Sequence, residues 1–450
     1  MKKAEVNMLS GSIVKGLLTI AIPIMIMNVV QSLFGIIDMI ILKNYDKGGN
    51  IAVGAVGTCS MLINLITGLL IGISAGTNVV VARYIGQGDA EHVEKAVGTS
   101  ILISLAGGGF LLLIGVSFAD IFLRWTNCPD KLLSEAVLYF RMYFAGVPIL
   151  MVYNFCAAIL RSAGDARRPM LFLTLGGMIK IILTYIFVAI LDMAVAGVAL
   201  ATIISWFISA LLAVYALIKN DGVVKLRLSR IRFHKKMAKE ILKVGVPAGL
   251  QQALYSVANV IISATVNTFG AEATTGISIA NNFDGILYQI SVAASLAVMP
   301  YVSQNVGKGN IKRATQAVTR GILITVCMGA TFGALSAVFS AELSSLMSND
   351  PMVIAYSQQK MVIISSTYFI CGINEIMGAA LRGMGRPAIA TFSTLIFMCA
   401  IRFAWVYVVF PHFQNLTFLY LIWPIGWVLS IGMLLCFYFP TIKKLETWSD

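Results

Sequence analysis

The stretch Ala82-Arg83-Tyr84-Ile85-Gly86-Gln87-Gly88-Asp89 returns 221 residues later as Ser303-Gln304-Asn305-Val306-Gly307-Lys308-Gly309-Asn310. The same offset of 221 pairs Leu160-Arg161-Ser162-Ala163-Gly164 with Leu381-Arg382-Gly383-Met384-Gly385, Trp206 with Trp427, and Ser209 with Ser430. Pro23 and Pro247 match at 224, and Tyr185 and Tyr407 at 222. The chain is therefore read as a tandem duplication.

The repeated unit is a membrane unit. Of the 450 residues, 58% are apolar and 12% charged, where a soluble domain is nearer half and a quarter. That excess excludes an ordinary soluble enzyme. Twelve apolar segments reach the roughly 20 residues a crossing needs: 17–42, 52–81, 96–118, 132–160, 169–191, 194–218, 238–268, 275–304, 315–340, 357–381, 388–410 and 416–439. The first continues to Leu42 without a small-residue cleavage site and reads as an uncleaved helix. The expected fold is all-α and polytopic. Twelve transmembrane helices form two six-helix bundles, related by a pseudo-two-fold along the membrane normal, because six is even and both halves enter in the same direction. The domains read as 1–218, a basic linker 219–237, and 238–450.

The net charge of +13 is a matter of orientation. The termini and every second loop hold 25 of the 33 Lys and Arg residues; the alternate loops hold only Lys43, Lys47, Arg124 and Lys131. This places both termini in the cytoplasm of a plasma-membrane protein. The basic stretch from Lys219 to Lys243 is expected to lie against anionic lipid. It lacks the features of a nucleic-acid interface. The seven cysteines show no C-x-x-C pair and the three histidines are isolated. The cysteines read as small buried hydrophobes, and no metal or cofactor is expected. No P-loop, H-E-x-x-H or nucleophile-elbow pattern supports ATP use or hydrolysis, and a membrane-embedded enzyme is the weakest reading.

Polar residues at membrane depth are the candidate site. In the first span, Asn28, Gln31, Gly35 and Asp38 fall on one helical stripe. The seventh carries Gln252, Tyr255 and Asn259, and the eighth Asn281, Asp284 and Tyr288 with Asn282 beside them. The tenth has Glu375 and Arg382 seven apart, matched by Asn154 and Arg161 in the fourth. Uncharged members serve equally as cavity lining or as hydrogen-bonding glue between helices. Buried charges point to a cavity. Four cations, Arg141, Lys180, Lys360 and Arg402, lie inside spans, and Lys180 and Arg402 occupy matching places. Counting 1.5 Å per residue lets Arg402 be level with Asp284, which suggests them as partners, and leaves an axial gap of roughly 10 Å between Asp38 and Lys180.

These features together resemble the multidrug and toxic compound extrusion (MATE) family, in its bacterial DinF-like branch. The resemblance rests on Pro23…Asp38, on Arg83-Tyr-Ile-Gly86-Gln-Gly88-Asp89, on Gly146-Val-Pro148…Tyr153-Asn154…Leu160-Arg161-Ser-Ala-Gly164-Asp165…Pro169, and on Glu375…Ala380-Leu-Arg382-Gly-Met-Gly385. It implies a V-shaped pair of bundles that export small organic, often cationic or amphipathic, compounds against inward flow of H⁺ or Na⁺ by alternating access. It also makes Asp38 the coupling residue. Relatives commonly carry Asn, then Asn or Asp, where this chain has Lys180 and Thr184. An ammonium there opposes Na⁺, so H⁺ is the expected ion, with Asp38, Lys180 and Thr184 as the coupling group. The glutamate some relatives place on the seventh helix is absent. Tyr255 stands nearest, and Asp284 or Glu375 are the available substitutes. A lipid-linked precursor flippase is the alternative within the same superfamily. A monomer in the bilayer is expected.

Overall fold

Residues 6–45, 50–126 and 128–447 are described by a computed structural model, and among them every regular element is helical. Lys2, Lys3 and Lys47, used above in the charge count, lie outside the described residues. Spans 1 to 6 are Ile13–Tyr45, Asn50–Gln87, Ala90–Ser117, Asp130–Ser162, Arg167–Ile190 and Ala194–Ile218. Spans 7 to 12 are Lys235–Asn267, Ala271–Gly307, Ile311–Val338, the pair Pro351–Ser366 and Tyr368–Gly383, Pro387–Phe413 and Leu416–Glu446. Ten of these are long and apolar enough to cross a membrane by themselves, and the pair, bent by 48°, makes an eleventh. Span 7 has 33 residues and the seventh place in order. Gln251, Gln252 and Asn259 dilute its apolar surface, and Gln252 and Asn259 line a cavity.

The duplication is visible in the helix ends. Span 3 covers Ala90–Ser117 and span 9 covers Ile311–Val338, offset by 221 at both ends. Span 4 begins and ends 221 residues before the bent pair. The opening motif accounts for this. Gly88 and Gly309 have φ of +73° and +79°, the left-handed region that favours glycine. Each turn hands on to a cap. Asp89 accepts from the His92 N–H and Asn310 from the Arg313 N–H, at 3.0 and 3.1 Å. The His92 N–H holds the Asp89 carboxyl below its usual range.

Packing repeats too. A Cβ on Gly108 would stand 2.5 Å from the Pro148 Cα, and one on Gly329 would stand 3.0 Å from the Phe369 Cα. Spans 3 and 4, and spans 9 and 10, thus meet backbone to backbone at equivalent points, as small residues allow in lipid. Ser209 Oγ donates to the Phe172 carbonyl, and Ser430 pairs with Ser393, the residue 221 beyond Phe172.

The chain divides into two compact units. The first holds 6 and Ile26–Gly245, and the second holds Asn7–Met25 and Val246–447. The boundaries at 218 and 238 read from composition thus move. Val224, Leu226, Met237 and Ile241 are buried in the first unit's core, and Arg227 and Arg230 pair with Glu94. The linker belongs with the first unit for that reason. In the second unit, Arg313 donates to the carbonyls of Met8, Ser10 and Gly11, anchoring the start of span 1. Both divided helices change unit beside a proline, Pro23 in span 1 and Pro247 in span 7, where a backbone hydrogen bond is missing and a helix bends most readily.

Cys59, Cys156, Cys371 and Cys399 are buried, in keeping with small hydrophobes, but Cys327 and Cys436 are exposed. They stand on outer faces among apolar residues such as Leu323 and Phe439.

Candidate functional site

Each unit contains a cavity walled by residues of its spans. In the first unit, Asp38 is buried at 5% exposure on span 1. Its Oδ2 accepts from the Lys180 ammonium of span 5, and its Oδ1 accepts from the Thr184 hydroxyl at 3.2 Å. Lys180 and Thr184 share a face because they are four apart on one helix. Immediately beyond them the helix widens into a π turn, Ile186–Ile190, a feature frequent at functional sites. Both carboxylate oxygens are thereby engaged. Asp38 and Lys180 line a cavity of about 540 Å³ with Ser32, Gly35, Ser60 and Tyr139.

The rest of the expected stripe in this unit stands apart. Gln31 is exposed and is not in the cavity wall. Asn28 is half-buried and also outside it. The Asn154 amide donates to the Leu150 carbonyl of its own helix, at 3.0 Å. None of the three lines the cavity of the first unit.

In the second unit, Gln252, Tyr255, Asn259, Asn281, Asp284 and Tyr288 converge on one cavity of about 360 Å³. Asn282 points elsewhere and donates to the Ser278 carbonyl. Glu375 is buried outside the cavity wall, near Arg382. The Arg382 guanidinium donates to Gln251 at 2.8 Å.

The pairing of Arg402 with Asp284 expected from depth is not what forms. Asp284 Oδ2 lies 2.9 Å from Nζ of Lys360, which also donates to Asn281. Arg402 is fully buried, donates to Asn259 Oδ1 at 2.7 Å, and stands 5.3 and 5.0 Å from the ring centres of Tyr255 and Trp423. The physical reason is the helix itself. Arg402 sits in a four-residue α segment between two π segments, Thr394–Ala400 and Trp405–Val409. Wider turns change both the depth and the face that counting at 1.5 Å and 3.6 residues per turn assigns.

Lys360 is the functional candidate that sequence reasoning passed over, though a cation inside a span is itself the signal. The position 221 earlier is Tyr139, so repeat symmetry gave no hint. The aromatic wall of Tyr368, Tyr420, Trp423 and Trp427 was likewise missed, since aromatic residues in apolar spans read as core.

The two cavities are repeat equivalents. Ser32 corresponds to Ser256, Gly35 to Asn259 and Asp38 to Ile262 at offset 224; Ser60 corresponds to Asn281 and Tyr139 to Lys360 at offset 221. Lys180 corresponds to Arg402 at 222. Among the described residues, no group of three or more His, Cys, Asp or Glu is placed to hold a metal ion.

The MatE family model matches residues 23–186 and 247–408, once in each half. A probable multidrug resistance protein NorM of Thermotoga maritima is 27% identical over 405 residues, covering 89% of this chain and 86% of that protein. The probable multidrug resistance protein YpnP of Bacillus subtilis is 26% identical over 399 residues, covering 87% of each. Among solved structures, an outward-facing multidrug resistance MATE family transporter superposes with a TM-score of 0.89 over 98% of both chains at 24% identity. A transporter of the MOP superfamily from Pyrococcus furiosus, described as having a binding pocket of reverse polarity, superposes at 0.86 and 23% identity, covering 100% of this chain and 97% of that one.

Proposed function

Since this chain belongs to the MatE family, and is therefore a multi-pass membrane transporter and not an enzyme, we propose that it is a secondary antiporter. It exports small organic compounds by alternating access, driven by inward H⁺, and keeps both termini in the cytoplasm. The observation that carries the choice of ion is the engagement of Asp38 by Lys180 and Thr184.

A hard cation such as Na⁺ needs several oxygen ligands. Here the single carboxylate already holds an ammonium, and a fixed positive charge repels a second cation. A proton needs no coordination shell. Adding one to the Asp38–Lys180 pair takes it from zero to +1 and breaks the ion pair, because a neutral carboxyl no longer attracts the ammonium as strongly. Protonation thus frees Lys180 from span 1, and that release couples ion uptake to helix rearrangement. The four-carbon lysine stem supplies the reach for the change.

The test imposes gradients separately on proteoliposomes loaded with a fluorescent amphipathic dye. Dye movement driven by a pH gradient alone is expected. Movement driven by a Na⁺ gradient alone, with none from the pH gradient, contradicts the reading.

A further inference from the structure

The two equivalent cavities differ in how deeply their cations are buried. In the first unit, Lys180 pairs with Asp38, and the other cation of the wall, Lys43, is exposed. In the second unit, Lys360 balances Asp284, and Arg382 lies near Glu375. Arg402 has no carboxylate at salt-bridge distance among the described residues. Its only hydrogen-bond partner there is the neutral Asn259 amide, and its Nε and Nη2 are buried with no partner. A guanidinium stays protonated under all relevant conditions, so one positive charge without a carboxylate partner is buried behind the wall of the second cavity. Such a charge is costly unless it is compensated or serves a ligand.

This charge is presented through the cavity wall. Tyr255, Asn259 and Trp423, three of the groups around Arg402, all line the cavity. Lys360 reaches the wall directly and stands 5.8 Å from the Trp423 ring centre. Tyr255 and Tyr288 stack at 5.9 Å with their planes 16° apart, which offers a flat wall of π surface. The volume of about 360 Å³ is at the small end for ligand pockets, so one or two fused rings fit.

We propose that the cavity of the second unit binds a planar aromatic compound carrying an oxyanion, its acid group toward Lys360 and Arg402 and its rings against Trp423 and Tyr255. The two equivalent cavities then divide the work, the first handling the coupling cation and the second an anionic cargo. Its status as cargo rests on the exporter reading above; binding itself does not.

The test is equilibrium dialysis of the full chain in lipid nanodiscs against two matched probes, 2-naphthoate and 2-naphthyltrimethylammonium. The wild type is expected to bind the carboxylate at least ~10-fold more tightly, and Lys360→Gln and Arg402→Gln are each expected to lose that preference. Trp423→Ala is expected to weaken both probes and leave their ratio unchanged. Equal or tighter binding of the ammonium, no binding of either probe, or a preference that survives in both charge variants overturns the proposal. The wild-type ratio decides even where a variant fails to fold. Loss of the preference with efflux still pH-driven removes this inference alone. Loss of pH-driven efflux with the preference intact removes only the coupling reading.

Discussion

On the proposed reading, Lys180 decides what Asp38 can hold. With the ammonium on Oδ2 and Thr184 on Oδ1, the carboxylate is proposed to take a proton and not a metal ion. Replacing Lys180 by Asn removes the fixed charge and supplies an oxygen. Lys180→Asn is expected to acquire Na⁺-stimulated efflux, measured in vesicles with and without a Na⁺ gradient; efflux indifferent to Na⁺ counts against the explanation. Lys360 makes a second residue-scale case. It is 2% exposed and its partner is Asp284. Truncating one member of a buried pair strands the other charge and costs about 3–5 kcal/mol. Lys360→Met should therefore lower the melting temperature sharply, and Lys360→Met with Asp284→Leu should recover most of it. Asp38 was legible in the sequence as a carboxylate on a greasy helix, with Lys180 as its oddly placed neighbour. Their contact was not legible, since counting along ideal axes left a gap that only packed coordinates close.

At the scale of elements, the repeated turn and the repeated close approach make distinct predictions. Asn310 caps span 9 through its side chain, so Asn310→Ala should cost about 1 kcal/mol, read as a lower denaturation midpoint. Gly108 and Gly109 are a sharper contrast because they are adjacent. A Cβ at Gly108 runs into the Pro148 backbone, whereas one at Gly109 meets nothing within 4 Å. Gly108→Ala should destabilise the protein, and Gly109→Ala should stabilise it slightly, by up to about 1 kcal/mol from helix propensity. Thermal unfolding in detergent, scored side by side, separates them. Helix positions were largely readable from apolar run length, and the ends of spans 3 and 9 from the duplicated motif. The π segments around Arg402 were not readable, because apolar side chains on every face leave no periodicity to betray a wider turn. The mistaken pairing of Arg402 with Asp284 follows from that.

At the scale of the whole molecule, the two repeat-equivalent cavities carry different residues. The acid on span 1, Asp38, has no counterpart on span 7, where Ile262 stands. The second unit instead has its acid on span 8 and an extra cation on span 10, Asp284 and Lys360. Duplication was plain in the sequence because the loop motifs kept their residues. The divergence of the cavities was only half plain, since it depends on which polar groups meet across helices. The central claim is that proton binding at Asp38 is exchanged for cargo. Its most direct measurement places a pH-sensitive dye inside proteoliposomes and imposes a gradient of an amphipathic substrate with no initial pH difference. The wild type is predicted to move protons opposite to the substrate, and Asp38→Asn to abolish that movement. Substrate flux through the wild type with no opposing proton movement would contradict the account.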